Sequence, residues 1–103
     1  MMNFFTQNKP PKSGSETFET LYKSDSLTIE RIVSNHLTDG QWYEQDHDEW
    51  VMLASGNAVL EFKGGACITM HSGDYILLKS HQLHRIKETS ENALWLAVHS
   101  HAS

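Results

Sequence analysis

The 103-residue sequence contains one cysteine, two prolines and no cluster of lysine or arginine. A lone thiol, Cys67, cannot close an intrachain disulfide, which excludes a small secreted scaffold held by cross-links. Its neighbours Ala66 and Ile68 bring neither a base nor a positive charge to lower its pKa, so Cys67 reads as a small strand residue. No apolar run approaches the roughly 20 residues that cross a bilayer as a helix, and the N-terminus lacks a basic segment followed by an apolar stretch. No membrane association is expected, and the expected compartment is the cytoplasm. With 8 Lys and Arg against 13 Asp and Glu, the formal net charge is -5. Such a chain does not neutralise a phosphate backbone, so nucleic acid is excluded as a partner. A helical period is missing as well, in every segment longer than about ten residues.

What the chain does contain is enough apolar matter for one core. Hydrophobic residues make up 39% and charged residues 20% of a length that suits one domain and one site. Both prolines, Pro10 and Pro11, fall with Lys12-Ser13-Gly14-Ser15 in a first stretch that disfavours regular structure. Residues 1–15 are therefore read as an arm and 16–103 as the domain. Phe4 and Phe5 make the arm apolar enough to pack on the domain or on a second subunit. Glu16 to Tyr22 suits either a short edge strand or a helical turn.

From Ser26 the period becomes two. Leu27, Ile29, Arg31 and Val33 alternate with Thr28, Glu30, Ile32 and Ser34, which predicts a strand. Further strands are predicted at Gln41 to Gln45, Glu49 to Ala54, Ala58 to Phe62, Ala66 to Met70, Tyr75 to Leu78, His84 to Lys87 and Ala93 to His99. Turn signals lie between them at Ser55-Gly56-Asn57, Gly64-Gly65 and His71-Ser72-Gly73-Asp74. Strands every eight to twelve residues, with glycine turns and no helix, predict an all-β sandwich or barrel.

Two spacings narrow that reading. Glu49 is followed after six intervening residues by Gly56, with Gly40 upstream, and Gly73 leads through Asp74-Tyr75-Ile76-Leu77-Leu78 toward His84. Over Ile29 to about Val98 the chain resembles the cupin superfamily, a double-stranded β-helix or jelly-roll barrel with two short motifs on neighbouring strands. The first family motif places His-x-His three or four residues before the glutamate. Here the shorter spacing puts Tyr43 and Gln45 at those positions and the longer puts Trp42 and Glu44 there. In the second motif Lys79, His81 and Glu88 stand where Pro, Gly and Asn are usual.

In cupins resembling this chain, the two histidines and the glutamate of the first motif and the histidine of the second bind a divalent metal, often Fe, Mn, Ni or Zn. Glu49 and His84 carry over, and Gln45, Glu44 and His47 are within reach as a third ligand. Residues two apart share a strand face, so Gln45 points with Tyr43, and Glu44 with Trp42. Gln45 is expected inward and Trp42 and Glu44 outward. The alternative without metal is a hydrogen-bonded Glu49–His84 pair lining a polar cavity. His47 lies in an acidic stretch that also reads as a solvated turn.

Tyr43, Tyr75, Trp50 and Trp95 are expected pocket walls or packing residues, and His81 is expected at the barrel mouth. Arg85 should point away from the cavity if His84 points in. His36, His71, His99 and His101 read as surface or edge residues. The resemblance spans enzymes, binders and storage proteins, so it implies a fold and not an activity. Expected functions are binding of a metal or small molecule inside the barrel with metal-dependent catalysis, metal-free binding or sensing, or a scaffold for subunit contacts. Acid–base turnover by Tyr43 and His84 is a further option. A homodimer is expected, through the arm and the strand at Leu27 to Val33 adding to a neighbour's sheet.

Overall fold

The computed structural model describes residues 1–6 and 9–101. Residues 7 and 8 of the expected arm, and the expected domain end at 103, lie outside the described residues. Eight strands follow in order: β1 Ser15–Lys23, β2 Leu27–Asn35, β3 Asp48–Ser55, β4 Asn57–Phe62, β5 Cys67–His71, β6 Tyr75–Leu78, β7 His84–Thr89 and β8 Ala93–Ser100. They form a five-stranded sheet in the order β1-β2-β8-β3-β6 and a three-stranded sheet in the order β5-β4-β7, with every pairing antiparallel. The all-β jelly roll expected from the sequence is the architecture observed. Among the described residues no helix is long and apolar enough to cross a membrane.

The core lies between the sheets and is built by alternation. Val51 and Leu53 from β3, Ala58 and Leu60 from β4, and Trp95 and Ala97 from β8 are two apart on their strands and all buried. Truncating a side chain as enclosed as Leu53 to Ala would cost about 2–5 kcal/mol. Gly56 turns the chain from one sheet into the other at φ 103. A Cβ there would meet the Ser90 hydroxyl at 2.8 Å and the Ala93 backbone at 3.1 Å, so a side chain is both strained and obstructed. Gly40 is fixed by space alone, because a Cβ would stand 2.9 Å from the Ile86 carbonyl.

One open reading of the sequence is decided and two change. Glu16 to Tyr22 is strand, and Ser15 already pairs with Asn35, with a register shift between Thr20 and Tyr22. Gln41 to Gln45 is not a strand. Its contact with the three-stranded sheet is an isolated bridge in which Tyr43 and His84 exchange main-chain bonds of 2.8 and 3.0 Å. Finally, Leu27 to Val33 is not available to a neighbour's sheet, because β2 is paired on one side by β1 and on the other by β8. The arm meets the barrel through Arg31, whose guanidinium donates to the carbonyls of Phe4 at 2.8 Å and Thr6 at 2.9 Å and pairs with Glu19.

Candidate functional site

A cavity of about 240 Å³ opens between the sheets. Strand alternation supplies its walls in pairs two residues apart: Glu16 and Phe18 from β1, Glu30 and Ile32 from β2, and Glu49 and Val51 from β3. His84 and Ile86 of β7 face them from the other sheet, and β8 contributes Trp95 and His99. The bridge at Tyr43 brings the loop before β3 over the opening, so that Tyr43 and Gln45 line it too. All four residues at the motif positions, Tyr43, Gln45, Glu49 and His84, therefore meet in one cavity. Trp42 and Glu44 point outward, as expected from their alternation, and Arg85 turns away to pair with Glu61 at 2.7 Å beneath Trp42.

Glu49 and His84 are 7% and 6% exposed, and neither is bonded to the other among the described residues. The Gln45 amide nitrogen donates to Glu49 Oε1 at 3.1 Å. That contact fixes the amide orientation, since a carboxylate only accepts, and it leaves Gln45 Oε1 buried without a partner. His84 Nδ1 is 2.9 Å from the Gln82 carbonyl, which also only accepts, so Nδ1 carries the proton and Nε2 is left for the cavity. The Tyr43 phenol is held above its ordinary pKa by burial first and then by the charges of Glu16 and Glu49. It stays a hydroxyl donor.

Sequence reading missed the histidine chain beside this cavity. His99 is not a surface residue: its side chain is 13% exposed, and Nε2 lies 2.7 Å from Glu30 Oε1 and 3.9 Å from Glu49 Oε2. Its Nδ1 meets His47 Nε2 at 2.9 Å, and His47 Nδ1 meets the exposed Asp46 carboxylate at 3.0 Å. His101 packs against His47 with ring centroids 4.4 Å apart and meets the Thr28 hydroxyl at 3.1 Å. The signal available in the sequence was period two from Trp95, which puts His99 on the same face.

Other expectations are corrected by position. Tyr75 is 67% exposed and stacks on Trp50 on the outer face, because in β6 it is Ile76 and Leu78 that turn inward. His81 has a 69% exposed side chain near Glu44 and does not line the cavity. His47 is neither a solvated turn residue nor a cavity ligand, since both its ring nitrogens are engaged by Asp46 and His99.

These contacts decide whether a metal fits. Among the described residues no three His, Cys, Asp or Glu side chains are grouped so that they could hold one. Gln45 turns toward Glu49 its amide NH2, which cannot ligate, and its Oε1 is enclosed; His47 is turned away, and Glu49 and His84 alone fall short of the three protein ligands that such sites usually show. The residues present do not fit a resident Fe, Mn, Ni or Zn ion.

No family model matches the chain, and no curated protein matches it. Solved structures do. A protein from Ralstonia eutropha JMP134, provisionally described as a mannose-6-phosphate isomerase, is 37% identical, with 99% of this chain and 98% of that one covered at a TM-score of 0.87. An RmlC-like cupin from Shewanella frigidimarina NCIMB 400 is 15% identical with a TM-score of 0.76, over 90% of this chain and 82% of that one. A cupin superfamily protein from Desulfitobacterium hafniense DCB-2 is 18% identical with a TM-score of 0.74, over 99% of each chain. The last two bear on the fold alone.

Proposed function

Because the chain belongs to the cupin superfamily, and its four motif positions line one cavity, we propose that it binds a small molecule inside the barrel without a resident metal ion. The observation that carries this reading is Gln45. It stands where the family motif has a histidine, and its amide donates to the Glu49 oxygen that a metal would need. Untagged protein prepared without chelator should contain only substoichiometric metal, and its melting temperature should not respond to added Fe, Mn, Ni or Zn. Near-stoichiometric metal that disappears in a Glu49→Ala, His84→Ala variant would overturn the reading.

Acid–base turnover of the bound molecule is a second reading, favoured by one juxtaposition. Tyr43 keeps its phenolic proton while the neighbouring His84 presents Nε2, so a donor and an acceptor stand side by side. The description of the Ralstonia relative as an isomerase is consistent with such chemistry. Solvent deuterium entering a bound carbonyl compound, and ceasing to do so in His84→Gln, is the expected sign. No exchange with any ligand that binds would leave a binding protein. Self-association is proposed through β1, whose outer edge has no strand paired to it among the described residues and carries exposed Phe18, Leu21 and Tyr22. A monomer mass by light scattering at micromolar concentration would rule it out.

A further inference from the structure

We propose that the cavity is selective for an organic cation bearing N–H donors on an apolar body, a primary or secondary ammonium, and rejects phosphorylated and carboxylated ligands. The proposal rests on the cavity being a small-molecule site and goes on to name the class of molecule.

The polar atoms facing the cavity are nearly all acceptors. Among the described residues Glu16, Glu30 and Glu49 line it, and no lysine or arginine does. The two arginines close by are engaged elsewhere: Arg31 with Glu19 and the carbonyls of the arm, Arg85 with Glu61 and Asp39. His99 alone directs a ring nitrogen at the carboxylates, 2.7 Å from Glu30, which leaves negative charge in excess. His84 is 94% buried by its 6% exposure, has its Nδ1 proton committed to the Gln82 carbonyl and turns Nε2, an acceptor in the neutral ring, to the ligand space. Gln45 lines the cavity as well, and its enclosed Oε1 has no partner among the described residues, so a ligand donor that reached it would satisfy it. Against this set stands one protein hydroxyl donor, that of Tyr43.

The phosphate of an ester would bring two negative charges and more acceptors into that surrounding, where the Tyr43 hydroxyl alone could donate to it. An ammonium brings the opposite charge and up to three N–H bonds. Phe18, Ile32, Val51, Ile86 and Trp95 give its carbon body an apolar wall.

Four probes separate charge from size: benzylammonium, benzyl alcohol, benzoate and mannose 6-phosphate, titrated into the full chain and read on the Trp95 indole N–H signal and the cavity amides by NMR. Benzylammonium should bind at least about tenfold more tightly than benzyl alcohol, the scale of one favourable charge contact near a protein surface. Benzoate and mannose 6-phosphate should give no saturable shift. Glu49→Gln and Glu16→Gln, each checked for a parent-like spectrum, should bring the two benzyl ligands to within about threefold of each other. Benzyl alcohol binding as well as benzylammonium, or either anion binding more tightly, would overturn the charge selectivity and leave the cavity a binding site. Failure of all four to perturb the cavity signals would overturn the small-molecule reading with it.

Discussion

The Ser34 hydroxyl donates to the Glu16 carboxylate at 2.8 Å while accepting from the Trp95 indole N–H at 3.2 Å. One fully buried serine thus serves a cavity acid on β1 and the largest core side chain on β8, from the strand between them. Ser34→Ala removes both bonds and leaves the indole N–H unpaired in the core. It should lower unfolding stability by about 1–3 kcal/mol, measured by urea denaturation. A change within about 0.5 kcal/mol, the range of ordinary surface substitutions, would show that the relay contributes nothing.

Glu16 responds to pH in a direction that its surroundings set. Burial pushes its carboxyl above the ordinary 4.5, and the Ser34 bond only partly opposes that. The folded state then holds this proton more tightly than the unfolded state. Its contribution is full below pH 4.5 and is lost as pH rises through the raised value. Glu16→Gln, which keeps an acceptor for Ser34, should gain stability on the parent as pH climbs from 4 to 7. A parent–variant difference that stays flat over that range would contradict the assignment.

Asp46 moves the other way. The bond from His47 is the first cause of its carboxyl lying below the ordinary 3.8. His47→Ala should return the Asp46 titration, followed by carbon NMR of the carboxyl, upward to the ordinary range. Because Asp46 is fully exposed, the return of its own titration should hardly change stability. An unmoved Asp46 midpoint would mean that the outer link of the histidine chain does not form in solution.

Gly56 offers a test of the turn itself. Gly56→Ala places a methyl group against Ser90 and Ala93 at a positive φ, and should destabilise the protein by roughly 1–3 kcal/mol. Gly64→Ala has a similar φ but open space around its Cβ, so it should cost less. Equal losses would assign the effect to backbone strain alone.

The strands were legible because alternation and glycine turns are local signals, and β3 to β8 lie close to where those signals put them. Tyr43, Gln45, Glu49 and His84 were legible through motif spacing. Which face of a strand turns inward was not. In β2 the alternation marks two faces without ranking them, and it is Glu30 and Ile32 that line the cavity and Ser34 that is wholly enclosed. A cavity reverses the usual rule, since its wall can be polar where its ligand or its hydrogen-bond partners are. For the same reason His99 passed for a surface or edge residue, and Glu16 and Glu30 were not singled out. Gln41 to Gln45 failed for another cause: two hydrogen bonds to His84 position Tyr43 without extending into a ladder.

The eighth of the described strands in chain order, β8, lies in the middle of the larger sheet and pairs with both β2 and β3. A nascent chain on the ribosome that has not yet released β8 leaves the facing edges of β2 and β3 open and lacks Trp95 and His99 from the cavity. Closure must therefore wait until β8 has emerged, with long-range pairing as the slow step. Until then those two strand edges are the places where a chaperone, or another unfinished copy, would attach first.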